Sequence, residues 1–297
     1  MGLCYPLRLE DERTLPEGYD GPVFIWDIDK TYLATHFSSA RGLARIPIEF
    51  AVDKRAIPGM PEILRGLRRG PGPGFACTPL YFVTASPPQI RAVLEHKMLL
   101  DGVEYDGITS KDWLQTLRQL RPGRLREQVG FKLCALLAGR QRRPLAEEYL
   151  FGDDVEQDAV AFHLYAGLLS GALPPSDAEA CMKATGVKKD DRQCVFTLLN
   201  QLPVKRGVVK RIFIHLERNT LPARFEHLGD LVVPVRGACQ LGLVLYELEL
   251  VDRETVHQAC KAVTARSGPP KAAVDALVAD ARERGLVSAD KIRELAL

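Results

Sequence analysis

Short apolar runs that end on acidic or hydroxyl residues constrain this chain more than any other feature. Val23 to Asp27 reads VFIWD behind the breaker Gly21-Pro22. Leu80 to Thr84 reads LYFVT after a Gly/Pro-rich loop at 70–74. Glu148 to Phe151 reads EYLF and runs into Gly152-Asp153-Asp154, and Arg211 to Leu216 reads RIFIHL. Gly107 to Ser110 offers one more short strand between the second and third. Unbroken apolar runs of this length suit strands covered on both faces. The intervals carry helical spacing instead: Ile63, Leu64 and Leu67 in 61–69, Ile90, Val93, Leu94 and Met98 in 88–100, and similar patterns in 131–138 and 158–169. Strand-helix alternation predicts an α/β fold, a central parallel sheet between two helical layers.

In such a sheet the carboxyl ends of the strands share one edge, and ligands bind there. Asp27-Ile28-Asp29, Thr84 and Gly152-Asp153-Asp154 would therefore converge although far apart in sequence. Carboxylates gathered this closely repel one another unless a cation lies between them. Magnesium takes hard oxygen ligands, commonly one or two carboxylates with water and substrate phosphate. Asp27, Asp153 and a backbone carbonyl fit that shell. Asp29 joins the candidate metal residues, and its carboxylate is available for proton transfer.

Composition narrows the alternatives. With 40 Lys+Arg against 38 Asp+Glu the net charge is +2, too small to imply a polyanionic partner. The longest mostly apolar stretch, 237–246, falls short of the roughly 20 residues a spanning helix needs. The first residues lack an apolar signal core, which points to a cytoplasmic protein. Seven cysteines stand singly without CxxC, which predicts reduced thiols. No GxxxxGK[ST] or GxSxG occurs, and no specific nucleic-acid motif. The segment 111–143 holds nine Lys/Arg against two acids, which suits a solvated helical region or a phosphorylated ligand.

The ordered motifs carry a resemblance. DIDKT at 27–31, Thr84 after its apolar run, Lys132 in GFKLCAL and GDDVEQD at 152–158 resemble the four motifs of the haloacid dehalogenase (HAD) superfamily. More narrowly, DIDKT, IPGMPEILRGL at 57–67, YFVTASPPQI at 81–90, SKDW at 110–113 and LFGDDVEQDAVAF at 150–162 are similar to the App1-type phosphatidate phosphatase catalytic domain. The likeness covers roughly residues 20 to 165. It departs where Lys30 stands in place of an acidic or small residue, Ala85 in place of Asn and Asp154 in place of Ser.

The resemblance implies a HAD-like Rossmannoid three-layer sandwich spanning 21–266, behind an N-terminal lead at 1–20. A flap or small cap at 32–56, containing His36, Phe37, Arg41 and Arg45, would cover the site. Residues 172–207 read as a helical insertion and 267–297 as a helical C-terminal tail. It implies an Mg2+-dependent phosphomonoester hydrolase acting on a phosphorylated small molecule or lipid such as phosphatidate. Asp27 would attack phosphorus to give an aspartyl-phosphate, and Asp29 would serve as acid and then base. Thr84 and Lys132 would bind the phosphoryl group. Asp153 would hold the metal, supported by Asp154, Asp158 and Thr31. A catalytically idle binding module on the same sheet, or a phosphotransferase or protein phosphatase, are the alternatives.

Overall fold

The computed structural model describes residues 4–11, 13–34, 55–86, 88–118, 127–267 and 270–296. Seven strands form one sheet: β1 (Leu7–Asp11), β2 (Pro22–Asp27), β3 (Leu80–Thr84), β4 (Gly107–Lys111), β5 (Glu147–Asp153), β6 (Val209–His215) and β7 (Val232–Val235). Their spatial order is β1-β4-β3-β2-β5-β6-β7. All neighbours run parallel except β1, which pairs antiparallel with β4. The chain enters at the central β2, steps outward through β3 and β4, and then returns to build the other half from β5. The carboxyl end of β2 is thus a topological switch point, where two halves of the sheet part and leave a crevice.

The helices are α1 (Met60–Arg69), α2 (Pro88–Leu100), α3 (Trp113–Arg118), α4 (Val129–Arg142), α5 (Asp158–Ser170), α6 (Pro175–Ala184), α7 (Lys189–Asn200), α8 (Gly237–Glu247), α9 (Arg253–Ser267), α10 (Pro270–Glu283) and α11 (Ala289–Leu295). Period-2 alternation divides the strand side chains between two cores. Phe24, Trp26, Phe82, Phe151 and Phe213 pack with α1, α8 and α9. Val23, Ile25, Val83, Leu150, Ile212 and Ile214 pack with α4, α5 and α7. Trp26 stacks on its cross-strand partner Phe151 at 4.2 Å between ring centroids, and Phe151 on Phe213 at 4.9 Å. A pair of this kind contributes about 0.5–1.5 kcal/mol beyond area burial, and here the pairs pin the register of β2, β5 and β6. Gly59, at φ 86, starts α1 where a Cβ would lie 2.7 Å from that of Ala238. Only glycine admits both that conformation and the close approach to α8.

Two strands depart from the expectation. β1 lies within 1–20, read as a lead; its LRLED is half-exposed and acid-rich, as an edge strand can be. β7 contains Pro234, which argues against a central strand, but β7 forms the opposite edge and, among the described residues, pairs only with β6. Residues 172–207 supply α6 and α7, with Met182, Cys194, Val195 and Leu198 buried in the second core. The C-terminal helices α10 and α11 bury Ala281 and Leu295 in the first core. His36, Phe37, Arg41 and Arg45 of the expected flap lie outside the described residues.

Four of the seven cysteines correct the reduced-thiol reading. Cys4 is joined to Cys194 and Cys239 to Cys260. The first pair ties the segment before β1 to α7, and the second ties α8 to α9. Neither is visible as a motif, because the partners stand 190 and 21 residues apart. No helix among the described residues is long and apolar enough to cross a membrane.

Candidate active site

Asp27 ends β2 at the switch point and is only 2% exposed. Its Oδ1 lies 3.0 Å from Lys132 Nζ on α4. That ammonium also lies 2.9 Å from Glu156 Oε2 and contacts Asp158 Oδ1. α4 delivers the lysine because residues 129–140 are buried throughout, packed between the sheet and its own layer. Asp158 opens α5 and turns back over the strand end, where its Oδ2 accepts from the Asp153 amide at 3.1 Å. Gly152 makes this return possible. A Cβ there would lie 2.6 Å from that of Asp158.

Asp153 ends β5 fully buried. Its Oδ1 accepts from the amides of Val155 at 2.5 Å and Glu156 at 2.8 Å. The other oxygen, Oδ2, is buried without a hydrogen-bond partner among the described residues, and so is Asp27 Oδ2. Leaving a buried polar atom unmade costs about 1–3 kcal/mol, more if charged. Two such oxygens at the ends of neighbouring strands are hard donors of the kind a magnesium ion takes alongside water.

The charge balance agrees. Burial pushes the Asp27 carboxyl well above the usual carboxylate range, Lys132 opposes this, and Asp158, Glu156 and Asp153 add to it. Burial also raises Asp158 and pushes Asp153 up to about 7, with Asp158 adding to that shift. Desolvation would lower Lys132, but Asp158, Asp27, Glu156 and Asp153 together hold it well above its usual value. Lys132 therefore stays charged, and its single charge is outnumbered by the acids around it.

One carboxylate oxygen from each of Asp27, Glu156 and Asp158 lies within 4.8 Å of the other two, so these three could hold a metal ion. The Lys132 ammonium, however, reaches all three. A cation at their centre would have to compete with it. Asp27 Oδ2 and Asp153 Oδ2, by contrast, have no hydrogen-bond partner among the described residues.

The other expected residues surround this centre. Thr84 ends β3 buried, and its Oγ1 accepts from the Ser86 amide at 3.0 Å. Asp29, half-buried in the turn after β2, accepts from Ser86 Oγ at 2.6 Å. Its carboxylate is thus engaged by the β3 loop and stands outside the close group of Asp27, Glu156 and Asp158. Thr31 is buried, with no partner for Oγ1 among the described residues. Asp154 neither joins the acidic group nor caps α5. It accepts from the amides of Arg218 at 2.9 Å and Thr220 at 3.2 Å, bracing the loop after β6. Arg140 of α4 is buried against Glu148, near the start of β5.

Three residues of the site went unassigned from the sequence. Glu156 lies inside GDDVEQD, where proximity to two aspartates was the available signal. Ser86 was legible as a hydroxyl two residues beyond Thr84. His215 ends β6 beside the site, and no spacing marks it. Compared with known proteins, the chain has no counterpart to report: no family model, no curated protein and no solved structure matches it.

Proposed function

We propose that the chain is an Mg2+-dependent phosphomonoester hydrolase of the haloacid dehalogenase type, working through an aspartyl-phosphate on Asp27. One observation carries the reading: a buried lysine joins Asp27 to Asp158 at the switch point, while Asp27 and Asp153 each keep an unpartnered oxygen. The close approach of a phosphate dianion to buried carboxylates is otherwise forbidden by Coulomb repulsion, so positive charge must be supplied.

Asp27 Oδ2 and Asp153 Oδ2 are the atoms that would hold magnesium. When bound, it would neutralise phosphate charge and keep Asp27 ionised. Asp27 Oδ1, the oxygen beside Lys132, then remains to attack phosphorus. Lys132 is placed to follow charge from the nucleophile to the transferring group, as a compact ammonium can. Thr84 accepts at Oγ1, so its hydroxyl hydrogen is available to a phosphoryl oxygen. Asp29 would give its proton to the leaving oxygen and take one from the water that hydrolyses the intermediate. Ser86 fixes the carboxylate for both steps.

The test is phosphate release from p-nitrophenyl phosphate and a phosphomonoester panel with magnesium, including phosphatidate in micelles. Turnover that requires magnesium and disappears in Asp27→Asn supports the reading. No turnover on any member would leave a binding module on the same fold. Transfer to an added hydroxyl acceptor in place of water would make the chain a phosphotransferase.

A further inference from the structure

His215 closes β6 at the carboxyl edge of the sheet and is 8% exposed. Its Nδ1 lies 3.0 Å from the carbonyl oxygen of Lys30. A carbonyl only accepts, so Nδ1 carries the hydrogen, whether the ring is neutral or charged. A specific partner is what places the hydrogen on this nitrogen.

The partner is an unusual peptide. Lys30 sits at φ 60, in the left-handed region. A side chain bearing a Cβ is strained there, and such conformations persist only where surrounding bonds over-determine them. Two bonds do so here. The Lys30 amide donates to Leu33 O at 2.7 Å, and His215 donates to the Lys30 carbonyl. His215 also reaches the loop after β5, because its own carbonyl accepts from the Asp154 amide at 3.0 Å. One residue thus ties the turn after β2 to the strand that precedes the Asp154 brace.

We propose that His215 is a positioning residue for the acid/base carboxylate. By fixing the left-handed peptide that follows Asp29, it sets the direction of that side chain from the backbone. Ser86 holds the carboxylate from the opposite flank. The two attachments come from β6 and from the loop after β3, on either side of β2. The inference rests on the phosphohydrolase reading and adds to it the means by which Asp29 is aimed.

A misdirected acid matters most when the leaving oxygen is basic and needs a proton. The experiment therefore compares kcat/KM of the full chain with magnesium across aryl phosphates from 2,4-dinitrophenyl to phenyl. His215→Ala is expected to lose on the order of tenfold or more on phenyl phosphate but less than about threefold on the dinitrophenyl ester. His215→Asn, whose amide nitrogen stands near the place of Nδ1, is expected to recover most of the loss. Equal losses across the series, or an Asn variant no better than Ala, would overturn the assignment. A long-range 1H–15N spectrum supplies a measurement independent of turnover: it should show the His215 hydrogen on Nδ1, and a ring protonated only at Nε2 overturns the proposal. If the wild-type chain turns over and Asp27→Asn does not, the phosphohydrolase reading stands however His215 behaves. If the wild-type chain is inactive on every ester, both fall.

Discussion

Helix α4 carries two buried cations that keep very different company, Lys132 and Arg140. Arg140, near its end, meets one carboxylate: Nη2 lies 2.6 Å from Glu148 Oε2. Its remaining hydrogens go to neutral acceptors, Nε to Tyr165 Oη at 3.1 Å and Nη1 to Ala146 O at 2.6 Å. Tyr165 in turn donates to Glu148 at 2.7 Å. Lys132, about 12 Å away along the same axis, meets three carboxylates and feels a fourth. Both groups are fully buried. One cation with one anion makes a structural pair of matched charge, although Glu148 Oε1 has no hydrogen-bond partner among the described residues. One cation among several anions stays electrostatically incomplete, and that incompleteness is what a divalent cation and a phosphate would relieve.

The sharpest way to break this contrast is Asp27→Asn. Turnover should fall on the order of 10³-fold or more, while the melting temperature holds or rises, since the carboxyl removed is one that burial and its acidic neighbours already disfavour as an anion. A lower melting temperature would mean that Asp27 belongs with Glu148 as a structural acid. Next comes Arg140→Met. It strands Glu148 and should cost about 3–5 kcal/mol in urea unfolding, with activity per folded molecule unchanged. Adding Glu148→Leu should recover most of that loss, because a buried pair replaced by apolar groups is often neutral.

A third test adds the cation itself. Magnesium at 100 times its dissociation constant should stabilise the chain by about 2.7 kcal/mol, read as a rise in melting temperature. Asp153→Asn should remove most of the rise, whereas Arg140→Met should leave it intact. A rise that survives Asp153→Asn would move the cation to the Asp27, Glu156 and Asp158 group.

The smallest effect concerns Lys111, a third buried cation between the two extremes. Its Nζ donates to Glu127 O at 2.6 Å and lies 5.0 Å from the Phe131 ring centroid. Burial pushes this lysine down to about 8, with Glu127 and Glu156 opposing. An unfolded lysine, at about 10.4, holds its proton longer. Between pH 8 and 10.4 the unfolded chain therefore binds more protons, so this residue makes stability rise with pH across that window. Lys111→Met should abolish that rise. An unchanged slope would show that Lys111 titrates as an exposed lysine.

Much of this arrangement was legible because the central strands announce both themselves and their ends. VFIW, LYFV and YLF are apolar throughout, and Asp27, Thr84 and Asp153 follow from where those runs stop. The edges were harder for the same physical reason. β1 needs only one face apolar, and β7 tolerates Pro234 because its far side pairs with no strand among the described residues. Residues whose role is relational left no trace in the sequence. His215 matters through a carbonyl 185 positions away, Asp154 through amides of a distant loop, and Cys4 through Cys194. Glu156 stood in plain view within the acidic motif, but only the position of the Lys132 ammonium distinguishes it from a solvated helix-entry acid.

The aromatic column has a practical consequence. The chain contains two tryptophans, and both stand beside the carboxyl edge of the sheet. Trp26 immediately precedes Asp27 and is stacked on Phe151. Trp113 donates from its indole to Ala85 O at 2.9 Å, next to the serine that holds Asp29. Ultraviolet emission from the unlabelled chain is thus a native optical gauge of the crevice. Titrating magnesium or inorganic phosphate should move its intensity or wavelength before any chemistry occurs, and Phe151→Leu should change the baseline by unstacking one of the two emitters.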